Sequence, residues 1–177
     1  MKIKLMILGY ARHGKDTVAE ILRDRHGLTF MSSSFAAAEK VMIPYFRSIG
    51  IEYANLDVCY ADRVNHRQEW HEQIAAYNTP DKAKLAREIY ANNDVYVGIR
   101  CDKEFETAKA EGLFQYSIWV DRSKRQPPEA ITSNKLNPKM ADYVINNNGT
   151  LEELKVRTSS LYWDLVSLEY AGAKGNQ

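Results

Sequence analysis

Cysteine is scarce in this chain, since Cys59 and Cys101 are the only two in 177 residues. Two cysteines cannot build the disulfide framework of a small secreted domain, and their spacing does not match a structural metal site. An excess of charge of one sign is also missing, because 24 Lys and Arg balance 23 Asp and Glu. The resulting net charge of +1 gives no electrostatic basis for binding nucleic acid directly or for binding a membrane surface.

Long hydrophobic runs are missing as well. The apolar run that follows Lys4 is far too short for a signal peptide or a membrane span. We therefore expect a cytoplasmic protein. The length of 177 residues is enough for one compact domain with a substantial core, and no internal repeat or low-complexity tract is visible.

The chain does contain a glycine-rich turn between a mainly apolar strand, residues 3–8, and a helix. Gly9, Gly14 and Lys15 fit the pattern G-x-x-x-x-G-K of a phosphate-binding loop. Backbone N–H groups can wrap an anion here because no Cβ blocks its approach, and the helix adds its positive N-terminus. We expect ATP to bind through Gly9, Tyr10, Ala11, Arg12, His13, Gly14, Lys15, Asp16 and Thr17, with the His13 side chain pointing to solvent.

Asp16 departs from the usual pattern, in which Ser or Thr follows the lysine. A carboxylate beside phosphates is repulsive unless a cation lies between them. We therefore expect Asp16 to act on Mg²⁺ and Thr17 to supply the missing hydroxyl. Lys15 would reach the β- and γ-phosphates as a point charge. The alternative is a strand–turn–helix junction that uses its glycines for geometry alone.

Strands alternate with helices along the chain, which predicts an α/β fold with a parallel sheet covered by helices on both faces. Ligands of such sheets bind beyond the carboxyl ends of the strands, so the polar residues there should face one crevice. Strands are predicted at 3–8, 28–31, 94–99, 114–120 and 142–145. Helices are predicted at 15–26, 35–49, 61–77, 81–92, 103–111 and from the capping residue Thr150 onward.

Three arginines are candidates for holding phosphates, because phosphoryl transfer needs fixed positive charge on donor and acceptor. Arg63 and Arg67 lie four residues apart and would share one face of the predicted helix 61–77. Arg100 ends an apolar strand at the crevice. The alternatives are a solvated face for the first pair, and for Arg100 an ion pair with Asp102 or Glu104.

The polar residues 121–139 lie between the last two predicted strands. Arg122, Lys124 and Arg125 open this segment. In small-molecule kinases such a position carries a lid that closes over the transferring phosphoryl group and excludes water. The alternative is a solvated loop.

Four stretches resemble bacteriophage deoxynucleoside monophosphate kinases, a P-loop family related to dephospho-coenzyme A kinases. The first is the loop from Gly9 to Thr17 with its Asp-Thr after the lysine, and the second is Ser-Phe-Ala-Ala-Ala-Glu-Lys at 34–40. The third is the strand Val-Gly-Ile-Arg at 97–100, and the fourth is the closing strand and turn at 141–150, shared with dephospho-coenzyme A kinases. In the family these four elements surround the donor and acceptor nucleotides.

The resemblance implies a three-layer α/β/α P-loop kinase with a five-stranded parallel sheet, built as one domain over 1–177. Its core would be 1–34, 93–120 and 140–171, its acceptor-binding helices would lie in 35–92, and its lid would be 121–139. The enzyme would transfer the γ-phosphoryl group of ATP, with Mg²⁺, to a deoxynucleoside monophosphate. The resemblance implies that the catalytic residues are Lys15, Asp16, Arg100, Arg122 and Arg125, and that Asp16 and Thr17 hold the metal ion. The implied acceptor-binding residues are Ser34, Lys40, Arg63, Arg67 and Arg100. Asn146 would flank the adenine of ATP.

Two departures from the family pattern leave questions open. Ala38 stands where an acidic residue or glycine is common, which leaves base recognition undecided. No apolar strand is expected to end directly in Asp, so Asp102 is the nearest candidate for a second metal carboxylate. The alternatives are a kinase of another small acceptor, such as dephospho-coenzyme A or phosphomevalonate, and a nucleotide-binding module without catalysis. The oligomeric state is open between a monomer and a homodimer.

Overall fold

A five-stranded parallel sheet forms the centre of the computed structural model, which describes residues 3–131 and 134–174. The strands are β1 (Leu5–Leu8), β2 (Phe30–Ser32), β3 (Val95–Val97), β4 (Tyr116–Asp121) and β5 (Tyr143–Asn146), in the spatial order β2-β3-β1-β4-β5. All four neighbouring pairs are parallel. The predicted α/β class, parallel sheet and number of strands are confirmed.

Eight α-helices accompany the sheet within the described residues. They are α1 (Lys15–His26), α2 (Ser33–Ala37), α3 (Ile43–Ser48), α4 (Leu56–Asp62), α5 (Arg67–Tyr77), α6 (Lys84–Asn92), α7 (Asp102–Ala110) and α8 (Leu151–Lys174). A π-helical turn, Ala38–Met42, joins α2 to α3, and a 3₁₀ turn, Pro138–Met140, precedes β5.

The central strand β1 packs on both of its faces. Its side chains alternate, so Leu5 and Ile7 join a cluster with α1 and α8, whereas Met6 and Leu8 join a second cluster with α6 and α7. All four are completely buried. A strand covered on both faces reads as a continuous apolar run, and this is why the sequence pattern identified it.

A third cluster lies among the helices between β2 and β3. It contains Met42, Phe46, Cys59 and Trp70, with two alanines of the π-helical turn region beside them. These helices therefore have an apolar core of their own. This is compatible with a separate acceptor-binding region at 35–92, and that division remains a prediction.

Two predicted helices are interrupted in the structure. The predicted helix 61–77 is two helices, because the chain turns after Asp62, whose carboxylate accepts hydrogen bonds from Tyr53 Oη and Asn65 Nδ2, both at 2.6 Å. Arg63 lies at the end of α4 and Arg67 is the first residue of α5, so the prediction that they share one helix face is wrong. The predicted helix 35–49 is divided by the π-helical turn.

Thr150 caps the N-terminus of α8, as predicted. The Glu153 N–H donates to Thr150 Oγ1 at 3.2 Å, and the Thr150 N–H donates to Glu153 Oε2 at 2.8 Å. This reciprocal pair is a capping box. None of the described helices combines the length and the apolar character that crossing a membrane requires.

Candidate active site

The turn between β1 and α1 has the backbone shape that its glycines allow. Gly9 has φ 146° and Gly14 has φ 91°, in the region that L side chains rarely adopt. A Cβ at Gly9 would lie 2.8 Å from the Val120 carbonyl oxygen, and a Cβ at Gly14 would collide with the Asn147 amide. Both glycines are therefore required by close neighbours, in keeping with the predicted phosphate loop.

Asn147 fixes the loop from the turn that follows β5. Its side chain is buried, and Nδ2 donates to the His13 carbonyl oxygen at 2.9 Å. The neighbouring Asn146, predicted to flank the adenine, is exposed, and its Oδ1 accepts the Asn148 N–H at 2.9 Å. Asn147 is thus the residue of this turn that contacts the loop, while the adenine role of Asn146 stays a prediction.

The expectation that the His13 side chain points to solvent is wrong, because the residue is completely buried. Its Nδ1 accepts the Arg122 N–H at 3.0 Å, and a backbone N–H can only donate. The same Nδ1 lies 3.3 Å from the Val120 carbonyl oxygen, and Nε2 lies 3.2 Å from the Gln126 carbonyl oxygen. His13 thereby joins the phosphate loop to the first turn of the predicted lid segment.

Lys15 lies at the inner end of the loop, where its Nζ donates to the Tyr10 carbonyl oxygen at 2.8 Å. Its pKa is lowered to about 8, mainly by burial and then by repulsion from Arg100, while attraction to Asp16 and Glu129 partly offsets both effects. Gly98, which follows β3, lies beside the lysine, since a Cβ there would be in van der Waals contact with Lys15 Cε at 3.8 Å. Lys15 and Arg100 thus form one positive region.

Glu129 bridges the phosphate loop and Arg100. Its Oε2 accepts the Ala11 N–H at 2.7 Å, and its Oε1 accepts from Arg100 Nη1 at 2.8 Å. The sequence offered Asp102 and Glu104 as alternative partners of Arg100, but Glu129 forms this ion pair. Glu129 was not predicted as a site residue, and no local pattern around it indicates this role.

Asp16 and Thr17 lie in the first turn of α1, as required of the predicted magnesium residues. Asp16 is exposed and Thr17 is half-buried. Within residues 3–131 and 134–174, no cluster of three or more His, Cys, Asp or Glu side chains is placed to hold a metal ion. Mg²⁺ commonly binds through one or two protein oxygens together with substrate phosphates and water, and these two residues fit that mode.

The expectation that no apolar strand ends in Asp is wrong, because β4 ends at Asp121. Its Oδ1 accepts the Ser123 N–H at 3.1 Å and its Oδ2 accepts from Asn148 Nδ2 at 3.0 Å. The carboxylate therefore organises the two turns that follow β4 and β5. The other candidate, Asp102, begins α7 and accepts the Lys103 N–H at 2.9 Å.

Two predicted acceptor residues, Ser34 and Arg63, meet at Tyr60, which was not predicted as a site residue. Ser34 Oγ lies 3.5 Å from Tyr60 Oη, and the Arg63 guanidinium stacks 3.9 Å from the centroid of the Tyr60 ring. Arg63 Nη1 also donates to the Tyr60 carbonyl oxygen at 2.8 Å. Ser33, next to Ser34, donates to the Gly98 carbonyl oxygen at 2.9 Å, which connects this group to the end of β3.

Two of the three remaining predicted acceptor residues, Lys40 and Arg67, are placed differently from Ser34 and Arg63. Arg67 is exposed at the start of α5. Lys40 lies in the π-helical turn and lines a small cavity with Met31, Leu85 and Glu88. Ser34 and the predicted acceptor arginines do not line that cavity. Roles for Lys40 and Arg67 in acceptor binding remain predictions.

The predicted lid segment is anchored at both ends. At its start, Arg122 is half-buried with its Nε making no hydrogen bond among the described residues, whereas Arg125 is exposed. Towards its end, Leu136 is buried in the core, and the buried Asn134 places Nδ2 at 3.5 Å from the Gly9 carbonyl oxygen. Which of the basic side chains reaches a nucleotide remains a prediction, and residues 132–133 lie outside the described part.

Comparison with known proteins confirms the fold. Neither a protein-family model nor a curated protein matches the chain. Among solved structures, the chain is similar to shikimate kinase from Aquifex aeolicus vf5, with a TM-score of 0.54, 11% identity, and coverage of 97% of this chain and 99% of that one. Shikimate kinase from Bacteroides thetaiotaomicron gives a TM-score of 0.51 at 10% identity, covering 93% of this chain and 99% of that one. TT1252 from Thermus thermophilus gives a TM-score of 0.50 at 20% identity, with coverage of 93% of this chain and 98% of that one.

Identities this low establish the fold alone, which is a three-layer α/β arrangement around a five-stranded parallel sheet, shared with these solved kinase structures. The glycine-rich turn follows β1, the central strand, which lies between β3 and β4. The order in which the chain adds strands to the sheet changes direction at β1. Parallel α/β sheets bind ligands at such a position. The fold and the local geometry therefore identify the same crevice.

Proposed function

We propose that this protein transfers the γ-phosphoryl group of ATP to a deoxynucleoside monophosphate, giving ADP and a deoxynucleoside diphosphate. The observation that carries the proposal is the position of Glu129. One carboxylate contacts both the Ala11 N–H of the phosphate loop and the guanidinium of Arg100. The loop and Arg100 are therefore close enough for one anionic group, such as a phosphate, to contact both.

The donor phosphates would bind in the loop. The positive φ angles of Gly9 and Gly14 give the loop its backbone shape, and the N-terminus of α1 adds positive potential. Lys15 would donate to the transferring group from the inner end of the loop. Mg²⁺, held with the phosphates by Thr17 and Asp16, would supply neutralising charge.

The acceptor would bind between Arg100 and the group formed by Ser34, Tyr60 and Arg63. A monophosphate acceptor carries an ionised oxygen and therefore needs positive charge and orientation, with no general base. The arginines at this side of the crevice meet that need. The sequence resemblance at 34–40 and 97–100 supports a deoxynucleoside monophosphate as the acceptor.

A product assay tests the proposal. The purified protein is incubated with ATP, Mg²⁺ and each deoxynucleoside monophosphate in turn, and the products are separated by anion-exchange chromatography. Dephospho-coenzyme A and shikimate serve as further acceptors, the second because shikimate kinases share the fold. We expect a diphosphate from at least one deoxynucleotide.

Two outcomes would contradict the proposal. Phosphorylation of dephospho-coenzyme A or shikimate with no nucleotide product would move the chain to another acceptor class. Binding of ATP with no phosphorylated product from any acceptor would indicate a nucleotide-binding module without catalysis.

A further inference from the structure

We infer that Glu129 is an internal competitor of the nucleotide, whose carboxylate takes the place of a phosphate group between the loop and Arg100 until the nucleotide displaces it. The inference rests on the phosphate-binding role proposed above for the loop, but it does not depend on which acceptor is used.

The geometry of Glu129 is that of a bound anion. Its two oxygens accept separate hydrogen bonds, at 2.7 Å from the Ala11 N–H and at 2.8 Å from Arg100 Nη1. Charge-assisted hydrogen bonds have lengths of this kind. The Glu129 side chain is 17% exposed whereas that of Arg100 is 49% exposed, so the carboxylate is the more enclosed partner.

The contact is formed by the tertiary fold. Ala11 and Glu129 are 118 positions apart in the chain, and Arg100 and Glu129 are 29 apart. The segment that carries Glu129 is held on either side, by the Gln126 carbonyl oxygen bonded to His13 and by the buried Asn134 beside the Gly9 carbonyl oxygen. These anchors place the carboxylate over the loop.

Positively charged groups surround the Glu129 carboxylate. Lys15 and Arg100 make the region positive, and the attraction of Glu129 is one of the influences that keep the Lys15 amine charged. The N-terminus of α1 adds to this potential. A phosphate group entering the loop would be stabilised by the same features.

Competition follows from the donors themselves. The Ala11 backbone nitrogen carries one hydrogen, so it serves either the carboxylate or a phosphate oxygen. Two anions side by side would also repel each other. A nucleotide that uses the Ala11 N–H must therefore move Glu129 away, which also breaks the hydrogen bond between Glu129 and Arg100 Nη1.

Removing the negative charge of Glu129 tests the inference, because the change in nucleotide affinity has opposite signs for a competitor and for a structural residue. In Glu129→Gln and Glu129→Ala, the affinity for ADP and for inorganic tripolyphosphate is measured by isothermal titration calorimetry at constant ionic strength. We expect about tenfold tighter binding than in the wild type, corresponding to about 1.4 kcal/mol. A purely structural role would weaken binding or leave it unchanged.

Two further variants act as controls. Glu129→Asp keeps the negative charge and should bind within about threefold of the wild type. Glu111→Gln removes a carboxylate from the exposed ion pair with Arg87, away from the loop, and should leave affinity unchanged. A general gain in anion affinity from lost negative charge would appear in Glu111→Gln as well, and would overturn the inference.

Hydrogen exchange of the wild type gives a readout that does not depend on a variant folding. Binding of ADP should speed exchange of the backbone amides near Glu129 while slowing exchange in the loop. Slower exchange at both places, or unchanged affinity in folded Glu129→Gln, would overturn the inference. If the wild type binds ADP normally, such a result leaves the proposed function intact, whereas absence of ADP binding by the wild type overturns both.

Discussion

The phosphate loop and the acceptor side of the crevice hold their functional side chains in different ways. Buried groups from distant parts of the chain fix the loop: Asn147 bonds to its backbone, and His13 extends from it to the predicted lid segment. On the acceptor side, Arg63 is held by Tyr60 of the preceding turn. Lys40 Nζ lies 4.0 Å from Oε2 of Glu39, its neighbour in sequence.

The difference indicates two kinds of site. A loop held by long-range buried contacts keeps its shape without a ligand, which lowers the cost of ordering it on binding. Arg63 and Lys40, which are held by sequence neighbours, can change rotamer at small cost, whereas Arg100 on the same side is held by Glu129, 29 positions away. We therefore expect a preformed donor site and an acceptor site that completes its geometry when the substrate binds.

Lys15→Ala should have the largest effect on the donor side. The lysine is the charged group of the loop that would follow the transferring phosphoryl group, and loss of one such stabilising donor commonly costs about 10²–10³-fold in kcat. We expect a loss of at least that size, measured as initial rates in the product assay. The thermal unfolding temperature should stay close to that of the wild type.

The exposed Lys139 of the 3₁₀ turn offers a matched control. Lys139→Ala removes the same charge and should keep full activity. Activity retained by Lys15→Ala would contradict the role of the loop lysine.

Gly14→Ala tests whether the shape of the loop is as fixed as its contacts indicate. The added Cβ meets the Asn147 amide and forces a side chain into the left-handed region. Strain of this kind costs about 1–3 kcal/mol. We expect nucleotide affinity to fall by about 100-fold, because 2.7 kcal/mol of distortion converts to that ratio.

Gly27 supplies the comparison for that substitution. It also has a left-handed backbone, φ 68°, but nothing lies within 4 Å of its Cβ position. Gly27→Ala should cost about 1 kcal/mol in unfolding free energy and leave nucleotide affinity unchanged. Equal effects of the two substitutions on affinity would show that the loop adapts and would remove the contrast with the acceptor side.

The Lys15 pKa of about 8 predicts a pH dependence of nucleotide binding. A bound phosphate favours the charged amine and raises this pKa, so binding takes up a proton above pH 8. Below pH 8 the Lys15 amine is already charged, so its protonation should not affect the affinity. Above pH 8 the affinity should fall by up to about tenfold per pH unit. Titration calorimetry in buffers of different ionisation enthalpy measures both the affinity and the proton uptake.

Lys15→Arg separates this effect from other titrations. Arginine remains charged at every pH in this range, so the decrease above pH 8 should disappear. The same decrease in both proteins would assign it to another group.

The donor half of the site could be predicted from the sequence because its signal is local. Gly9, Gly14 and Lys15 stand at fixed spacing after an apolar strand, and each is explained by the structure. Glu129 could not be predicted, since its partner Ala11 is 118 positions away and its own surroundings show no periodicity. Long-range pairing of this kind leaves no pattern in one sequence.

Asn147 was missed although a usable signal was present. The side chains of a strand alternate, so Asn147 continues the face of the buried Ile145, whereas Asn146 continues the opposite one. The predicted helix 61–77 was wrong for a local reason. Asp62 and Asn65 bond to each other through their side chains and favour a turn where apolar spacing alone indicated a continuous helix.

The smallest expected effect separates Arg63 from Arg67 on the acceptor side. Arg63 stacks on Tyr60, which contacts Ser34, whereas Arg67 is exposed at the start of a different helix. Arg63→Ala should raise the KM for the acceptor about tenfold with a smaller change in kcat, as expected when one charged contact to bound substrate is lost. Arg67→Ala should change the KM for the acceptor by about twofold or less, as expected for an exposed charge.

The size of this contrast also tests how far the acceptor side is preformed. If Arg63 is already in its binding position, Tyr60→Leu should reproduce most of the effect of Arg63→Ala, because the ring orders the guanidinium. If the arginine moves to meet the substrate, Tyr60→Leu should have little effect on KM. A larger effect of Arg67→Ala than of Arg63→Ala would require the acceptor helices to rearrange on binding, and the acceptor side would then differ from the fixed phosphate loop even more than its contacts indicate.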